Sequence, residues 1–232
     1  MGQVLIGPKR MNLNRRRFFS RVVLTLCLAG CGSAVWAQSF SEGFEDIHDA
    51  NGDSSLSKLL GRGWSVVNSS NPLGTVSWFF GNGSTFQAHT GSGFIACNYL
   101  AAAAAGTISA WLCARPVHFH NGDTISFYTR SNGKYPDRLE LRLSTGGTNV
   151  SVGSNETSVG LFTNLLLSVN PKLVTGGYPV AWTRETVKLS GLPAAGATGR
   201  FAFRVFETSA GFGAVNGDYV GIDDVVYTAV AG

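Results

Sequence analysis

Alternation with a period of two recurs along this chain while no helical period of useful length appears, and that contrast decides the fold class. The clearest case is near the C-terminus. From Gly199 the chain alternates, with Phe201, Phe203 and Val205 on one face and Ala202, Arg204 and Phe206 on the other. A glycine-rich loop follows, then a second strand from Tyr219 to Tyr227, interrupted by the pair Asp223-Asp224. A strand built only for a core carries no adjacent acids. Something must hold those two charges.

The same grammar extends upstream. Arg138–Ser144 places Leu139, Leu141 and Leu143 inward and Arg138, Glu140 and Arg142 outward, as a solvated ion-pair face. Gly63–Val67, Thr75–Phe80, Gly93–Tyr99, Ile108–Val117, Thr124–Arg130, Phe162–Val169 and Trp182–Leu189 are further strand candidates. Asn71-Pro72 and Gly81-Asn-Gly-Ser84 read as turns. Ser57–Leu60 is at most one helical turn, and Ala101–Ala105 is too short to be a stable helix and reads as a loop. With 30 glycines and only 14% charged residues, the expectation is an all-β, two-sheet antiparallel sandwich.

The net charge of +4 has a local origin. Residues 1–37 hold six of the 18 basic residues and no acid, which leaves 12 basic against 14 acidic residues in 38–232. The basic excess is therefore no sign of nucleic-acid binding. In residues 1–37 a basic region precedes the apolar run Val22–Ala29, too short to span a bilayer and suited to bacterial export. Asn14-Arg-Arg-Arg-Phe-Phe-Ser20 resembles a twin-arginine motif, and the signal is best proportioned if translation starts at Met11. Two cleavage readings stand side by side. Val35-Trp-Ala37 before Gln38 suits signal peptidase; Leu28-Ala-Gly-Cys31 resembles a lipobox, with Cys31 lipidated. Both put residues 38–232, a single sandwich domain, outside the cytoplasm, with the membrane reached only through a lipid on Cys31.

Cys97 and Cys113 are the cysteines beyond that segment. In an oxidising compartment they form a disulfide or stay as two buried thiols. Asp49-Ala-Asn-Gly-Asp53 has oxygen ligands around a glycine but lacks the closing glutamate of an EF-hand, and reads also as a solvated turn. His118 and His120 share a strand face with no third ligand evident. Asp137 and Glu140 are near neighbours, but Arg138 and Arg142 flank Glu140, which is wrong for a general acid. Gly-x-Ser-x-Gly is absent. Trp64, Trp111 and Trp182 read as core. Trp78-Phe79-Phe80 cannot all face inward on one strand. Trp78 and Phe80, with Tyr135 and Tyr178 in loops, are the candidates for a ligand-contact surface.

Taken in order, Phe44-Glu45, Gly63-Trp64, Trp111-Leu112 with Pro116, Gly122-Asp123-Thr-Ile-Ser-Phe127, Trp182-Thr183, Phe203-Arg204 and Gly217–Asp224 resemble the choice-of-anchor J family of bacterial exported proteins. The chain is more distantly similar to cleaved-adhesin and MAM-type domains. The resemblance covers about Phe40 to Tyr227. It implies a jelly-roll sandwich with no established catalysis, hence a non-enzymatic exported or surface protein acting by adhesion or by binding an extracellular glycan, a matrix component or another surface protein. A polysaccharide hydrolase or lyase on a jelly roll is the alternative. The resemblance also implies that first and last strands lie side by side, with Glu45 near Asp223 and Asp224 around a structural calcium ion; the competing reading pairs the two aspartates with Arg204 or backbone amides. Members usually carry a C-terminal anchor. This chain ends five residues after Tyr227 without one, so free secretion or anchorage through Cys31 is expected.

Overall fold

The computed structural model describes residues 38–81 and 83–230. The expected signal in residues 1–37, with the Met11 start, Cys31 and the cleavage reading after Ala37, lies outside the described residues. Strands follow in chain order: β1 (Phe40–Glu42), β2 (Ser65–Asn68), β3 (Asn71–Leu73), β4 (Phe79–Phe80), β5 (Ile95–Asn98), β6 (Ala102–Cys113), β7 (Val117–Phe119), β8 (Thr124–Ser131), β9 (Leu139–Ser144), β10 (Asn164–Val169), β11 (Thr183–Lys188), β12 (Ala197–Ala210) and β13 (Tyr219–Thr228). A short helix, α1 (Ser57–Gly61), and a 3₁₀ turn at Tyr99–Ala101 complete the regular elements.

The strands form two antiparallel sheets, as their alternation demands. One runs β11-β8-β13-β5-β4 with β1 also on β13; the other runs β10-β9-β12-β6-β2 with β3 on β6 and β7 on β12. The inward rows meet between the sheets. Leu141, Phe203 and Leu112 lie side by side across β9, β12 and β6, and Phe127 from the opposite sheet packs on Phe203 at 4.8 Å between ring centres. Phe40, Phe44, Trp64, Phe201 and Tyr227 close one end of this core.

Three expectations change. The alanine run is the first half of β6, a 12-residue strand. Small side chains are needed there, because β3 packs so tightly that a Cβ on Gly106 would stand 2.1 Å from the Asn71 carbonyl oxygen. The outward row of β9 is no solvated face. Glu140, Arg204 and Trp111 align across β9, β12 and β6, and residues 145–163 fold over them, seating Phe162 on Trp111 at 5.5 Å. Glu140 and Arg204 are consequently buried as a pair, 3.4 Å apart.

The third change concerns the cysteines. Cys97 and Cys113 are both free thiols. They sit on consecutive strands, but β5 and β6 belong to opposite sheets. Cys97 joins the core between the sheets, whereas Cys113 joins Trp111 and Phe162 on the outer side. Their side chains point away from a common bridge. Burial pushes the Cys113 thiol up to about 12 and the Cys97 thiol well above its ordinary value.

Candidate functional site: a carboxylate lock and an aromatic groove

β13 has β8 along one edge, but its other edge changes partner. Residues 219–222 pair with β5, and residues 225–227 pair with β1. Asp223 and Asp224 fall in the gap between those neighbours. The expected adjacency of first and last strands is thus present, as Phe40↔Tyr227 and Glu42↔Val225. In the gap Asp224 takes φ 47°, a left-handed turn that aspartate tolerates better than most residues.

The acids are held by the segment 89–93. Asp223 Oδ2 accepts the N–H groups of His89 (2.8 Å) and Thr90 (3.3 Å), and its Oδ1 accepts that of Asp224 at 2.7 Å. His89 Nδ1 donates to Asp224 Oδ2 at 2.6 Å, and Thr90 Oγ1 donates to Asp224 Oδ1 at 2.7 Å. Glu45 Oε2 accepts from Ser92 N (2.8 Å), Ser92 Oγ (3.1 Å) and Gly93 N (2.9 Å). These amides have no strand partner, so three carboxylates do the work of a missing β-strand. Burial, aided by the Asp224 charge, lifts the Asp223 carboxyl to about 7. Arg204 is not the partner of this pair. It lies in the other sheet, between the rings of Trp111 (4.7 Å) and Phe206 (3.7 Å). Asp49–Asp53 is a self-satisfied turn, with Asp49 Oδ1 accepting the N–H groups of Asn51 and Asp53 at 2.8 and 3.0 Å.

The aromatic candidates separate. Trp78 is 3% exposed and belongs to the core, which removes it from any contact surface. It precedes β4, so the alternation argument does not reach it. Phe79 instead turns to the outer face of the sheet, where it meets Tyr219 at 5.7 Å in a cluster with Phe86 and Phe94. Phe80 is half-buried, 5.0 Å from the His48 ring. Tyr178 is also removed: it is 4% exposed, with its hydroxyl 2.6 Å from Thr129 Oγ1. Its loop folds back against β8. Tyr135 stands exposed at the opposite end of the sandwich from α1.

Tyr135 lines a groove of about 300 Å³ with Tyr99, Lys134, Phe212, Gly217 and Asp218. Tyr99 comes from the 3₁₀ turn, where Asn98 Oδ1 caps Leu100 N at 3.0 Å. Phe212 comes from the β12–β13 turn and is 62% exposed. Its ring is 6.3 Å from that of Tyr99, and Lys134 Nζ is 5.4 Å from the Tyr135 ring. The walls are tied together. Asp218 Oδ2 accepts Lys134 N at 2.8 Å, Tyr99 N donates to Asp218 O at 3.1 Å, and Gly217 N donates to Pro136 O at 2.9 Å. Gly211 (φ 105°) is required in that turn, because a Cβ there would lie 2.3 Å from Ala104 O.

Behind the groove two acids meet. Asp137 and Glu207 are each 1% exposed, and their carboxyl groups face one another. Asp137 Oδ1 accepts Asp218 N at 2.7 Å and Glu207 Oε1 accepts Arg138 N at 2.9 Å. Burial at this depth keeps the pair out of reach of a substrate.

Sequence reasoning named Tyr135 and did not name Tyr99, Phe212, Lys134 and Asp218, which line the same groove. A signal existed for one of them. Phe212 lies between Gly211 and Gly213, and an aromatic in a glycine turn has no strand face to bury itself in.

No known protein-family description matches the chain, and no curated protein matches it. Solved structures do. A cleaved adhesin domain of Lys-gingipain from Porphyromonas gingivalis W83 superposes with a TM-score of 0.54 at 20% identity, over 84% of this chain and 99% of that one. A second cleaved adhesin domain of the same protein gives 0.51 at 19% identity, over 82% and 98%. What this likeness establishes is the fold, a two-sheet antiparallel β-sandwich.

Proposed function

We propose that this chain is an exported, non-enzymatic β-sandwich of the bacterial surface, related to the choice-of-anchor J family, that binds an extracellular glycan through the Tyr99–Tyr135–Phe212 groove. The observation that carries this is the convergence of three exposed aromatic rings with an ammonium and a carboxylate in one open groove. Rings of this kind stack on the apolar faces of sugars, and polar groups between them fix orientation. The adhesin name of the structural neighbours supports adhesion as the setting. Matrix components and other surface proteins are the remaining partners, with no nucleic acid expected. Export rests on the signal within residues 1–37. Accumulation of an unprocessed precursor when lipoprotein processing is inhibited would identify Cys31 as lipidated.

The test is a glycan array probed with the wild type, Tyr99→Ala and Phe212→Ala. Each variant should lose roughly tenfold in affinity, about 1.4 kcal/mol, while its melting temperature stays unchanged. Variants that bind as well as the wild type would exclude the groove. Turnover of a bound polysaccharide would favour the hydrolase or lyase alternative.

A calcium ion at the lock is a second, separable reading. Glu45 Oε1 and Asp224 Oδ1 both lie 3.8 Å from the point where a Cβ on Gly43 would stand, so two carboxylate oxygens face one spot. Among the described residues no group of three or more His, Cys, Asp or Glu side chains is placed to hold a metal. Calcium takes about 6–8 oxygens, so Glu45 and Asp224 would supply part of the set, with Asp223 buried behind them, and backbone carbonyls and water the rest. Its role would be to neutralise the acids and fix β1 against β13. A melting temperature that falls in chelator supports the ion; one that does not move excludes it.

A further inference from the structure

Both loops that build the groove are fastened to the same buried contact. From the β8–β9 side come Asp137 and Arg138, three and four residues after Lys134. From the β12–β13 side come Glu207, Gly217 and Asp218. Asp218 N donates to Asp137 Oδ1 at 2.7 Å, and Arg138 N donates to Glu207 Oε1 at 2.9 Å. Each carboxyl thus takes an N–H from the loop side, the other oxygen of Asp137, Oδ2, is buried with no hydrogen-bond partner, and the two acids act on one another. Gly217 (φ 83°) leaves room for this, since a Cβ there would come 2.8 Å from Glu207 Oε2. Two carboxylates in contact repel, whereas one shared proton turns the contact into a hydrogen bond.

Few charges are near enough to replace that proton. Asp218 adds a third acid. Arg138 gives its amide, and its charge pulls Glu207 down, but its guanidinium is drawn to Phe206, donating through Nε to the carbonyl and lying 4.4 Å from the ring, and burial outweighs it. Cys97 from β5 and the Tyr178 phenol are the other titratable groups facing the pair, and both are held neutral by burial. Burial lifts Asp137 to about 7 against the pull of the Asp218 N–H, and burial together with Asp137 lifts Glu207 well above the ordinary carboxylate range. The pair therefore keeps a proton at neutrality.

We propose that the Asp137–Glu207 contact is a proton-held latch joining the two loops of the groove, so that carbohydrate is released as the medium turns alkaline. The inference rests on the glycan reading for its consequence and on the buried contact for its mechanism. When the last shared proton leaves, the acids separate or draw in water, and the hydrogen bonds from Asp218 and Arg138 move with them. The rings of Tyr135 and Phe212 then lose their common geometry. Loss of one proton limits the fall in affinity to about tenfold per pH unit beyond the midpoint.

Two measurements decide it. In the first, the affinity for a glycan selected on the array is followed from pH 6 to 9.5 in the wild type, Asp137→Asn and Glu207→Gln. Each amide can donate permanently to the opposing carboxylate, so the alkaline fall should vanish in both variants. In the second, the ¹³C-labelled ring signal of Phe212, which has no proton to lose, is followed over the same range without glycan. It should shift in the wild type and stay fixed in the variants. A wild-type signal that stays fixed, or one that moves equally in the variants, overturns the latch. A signal that moves only in the wild type, with no glycan bound at any pH, supports the latch and sinks the glycan reading. Should one variant fail to fold, the other carries the comparison.

Discussion

His89 and Asp224 are joined at 2.6 Å, and the imidazole lies flat on the Tyr128 ring, 3.5 Å between centres and 17° from parallel. One side chain therefore pins residues 89–93 to both β13 and β8. His89→Ala removes the donor and the stacked ring together. The expected cost is about 1–3 kcal/mol, read by urea unfolding, with faster proteolytic cleavage between residues 83 and 93. Unchanged stability would mean that Glu45 and Asp223 hold the segment unaided.

Glu140→Ala should be far more damaging than a surface substitution. Arg204 is 1% exposed, and removing its acid leaves a buried guanidinium facing Ser109 Oγ and the Glu156 carbonyl alone. Breaking such a pair costs about 3–5 kcal/mol. Arg204→Met in the Glu140→Gln background should restore part of it, because the outer face then becomes an apolar cluster around Trp111 and Phe162.

Reducing agent should leave the melting temperature unchanged. The thiols of Cys97 and Cys113 lie on opposite sides of a sheet and make no bond to break. A drop in reductant would require a rearranged β5 or β6.

Stability should fall as the pH rises from about 4 to about 7. The folded state holds the Asp137 proton more tightly than the unfolded chain does, since its carboxyl stands at about 7 against an ordinary 3.8. That contribution is complete below the unfolded value and is lost as pH rises through the folded one. It is on the order of 4 kcal/mol, and Asp137→Asn should remove it from the stability–pH curve. A wild-type curve that rises over this interval would show that other acids dominate.

Some of this was legible in order along the chain. The inward leucines of β9 and the inward aromatics of β12 follow from a period of two, because a strand offers each residue just two faces. The acid pair Asp223-Asp224 announced a break in a strand for the same reason. What local pattern cannot carry is which face receives a cover. Glu140 and Arg142 read as solvent-facing, yet residues 145–163 close over them, and nothing in β9 itself encodes that.

By itself the sequence determined the strand faces and the sandwich. These depend on side-chain alternation and local composition. Tertiary structure alone decided that Cys97 and Cys113 part company, that Trp78 and Tyr178 are buried, and that Tyr99, Tyr135 and Phe212 share one groove. Each depends on residues far apart in sequence being brought to one place, which is settled by which sheet a strand joins and how the connecting loops fold over it. The acids of β13 belong to both accounts: their adjacency is in the sequence, while their purpose came from the gap between β1 and β5.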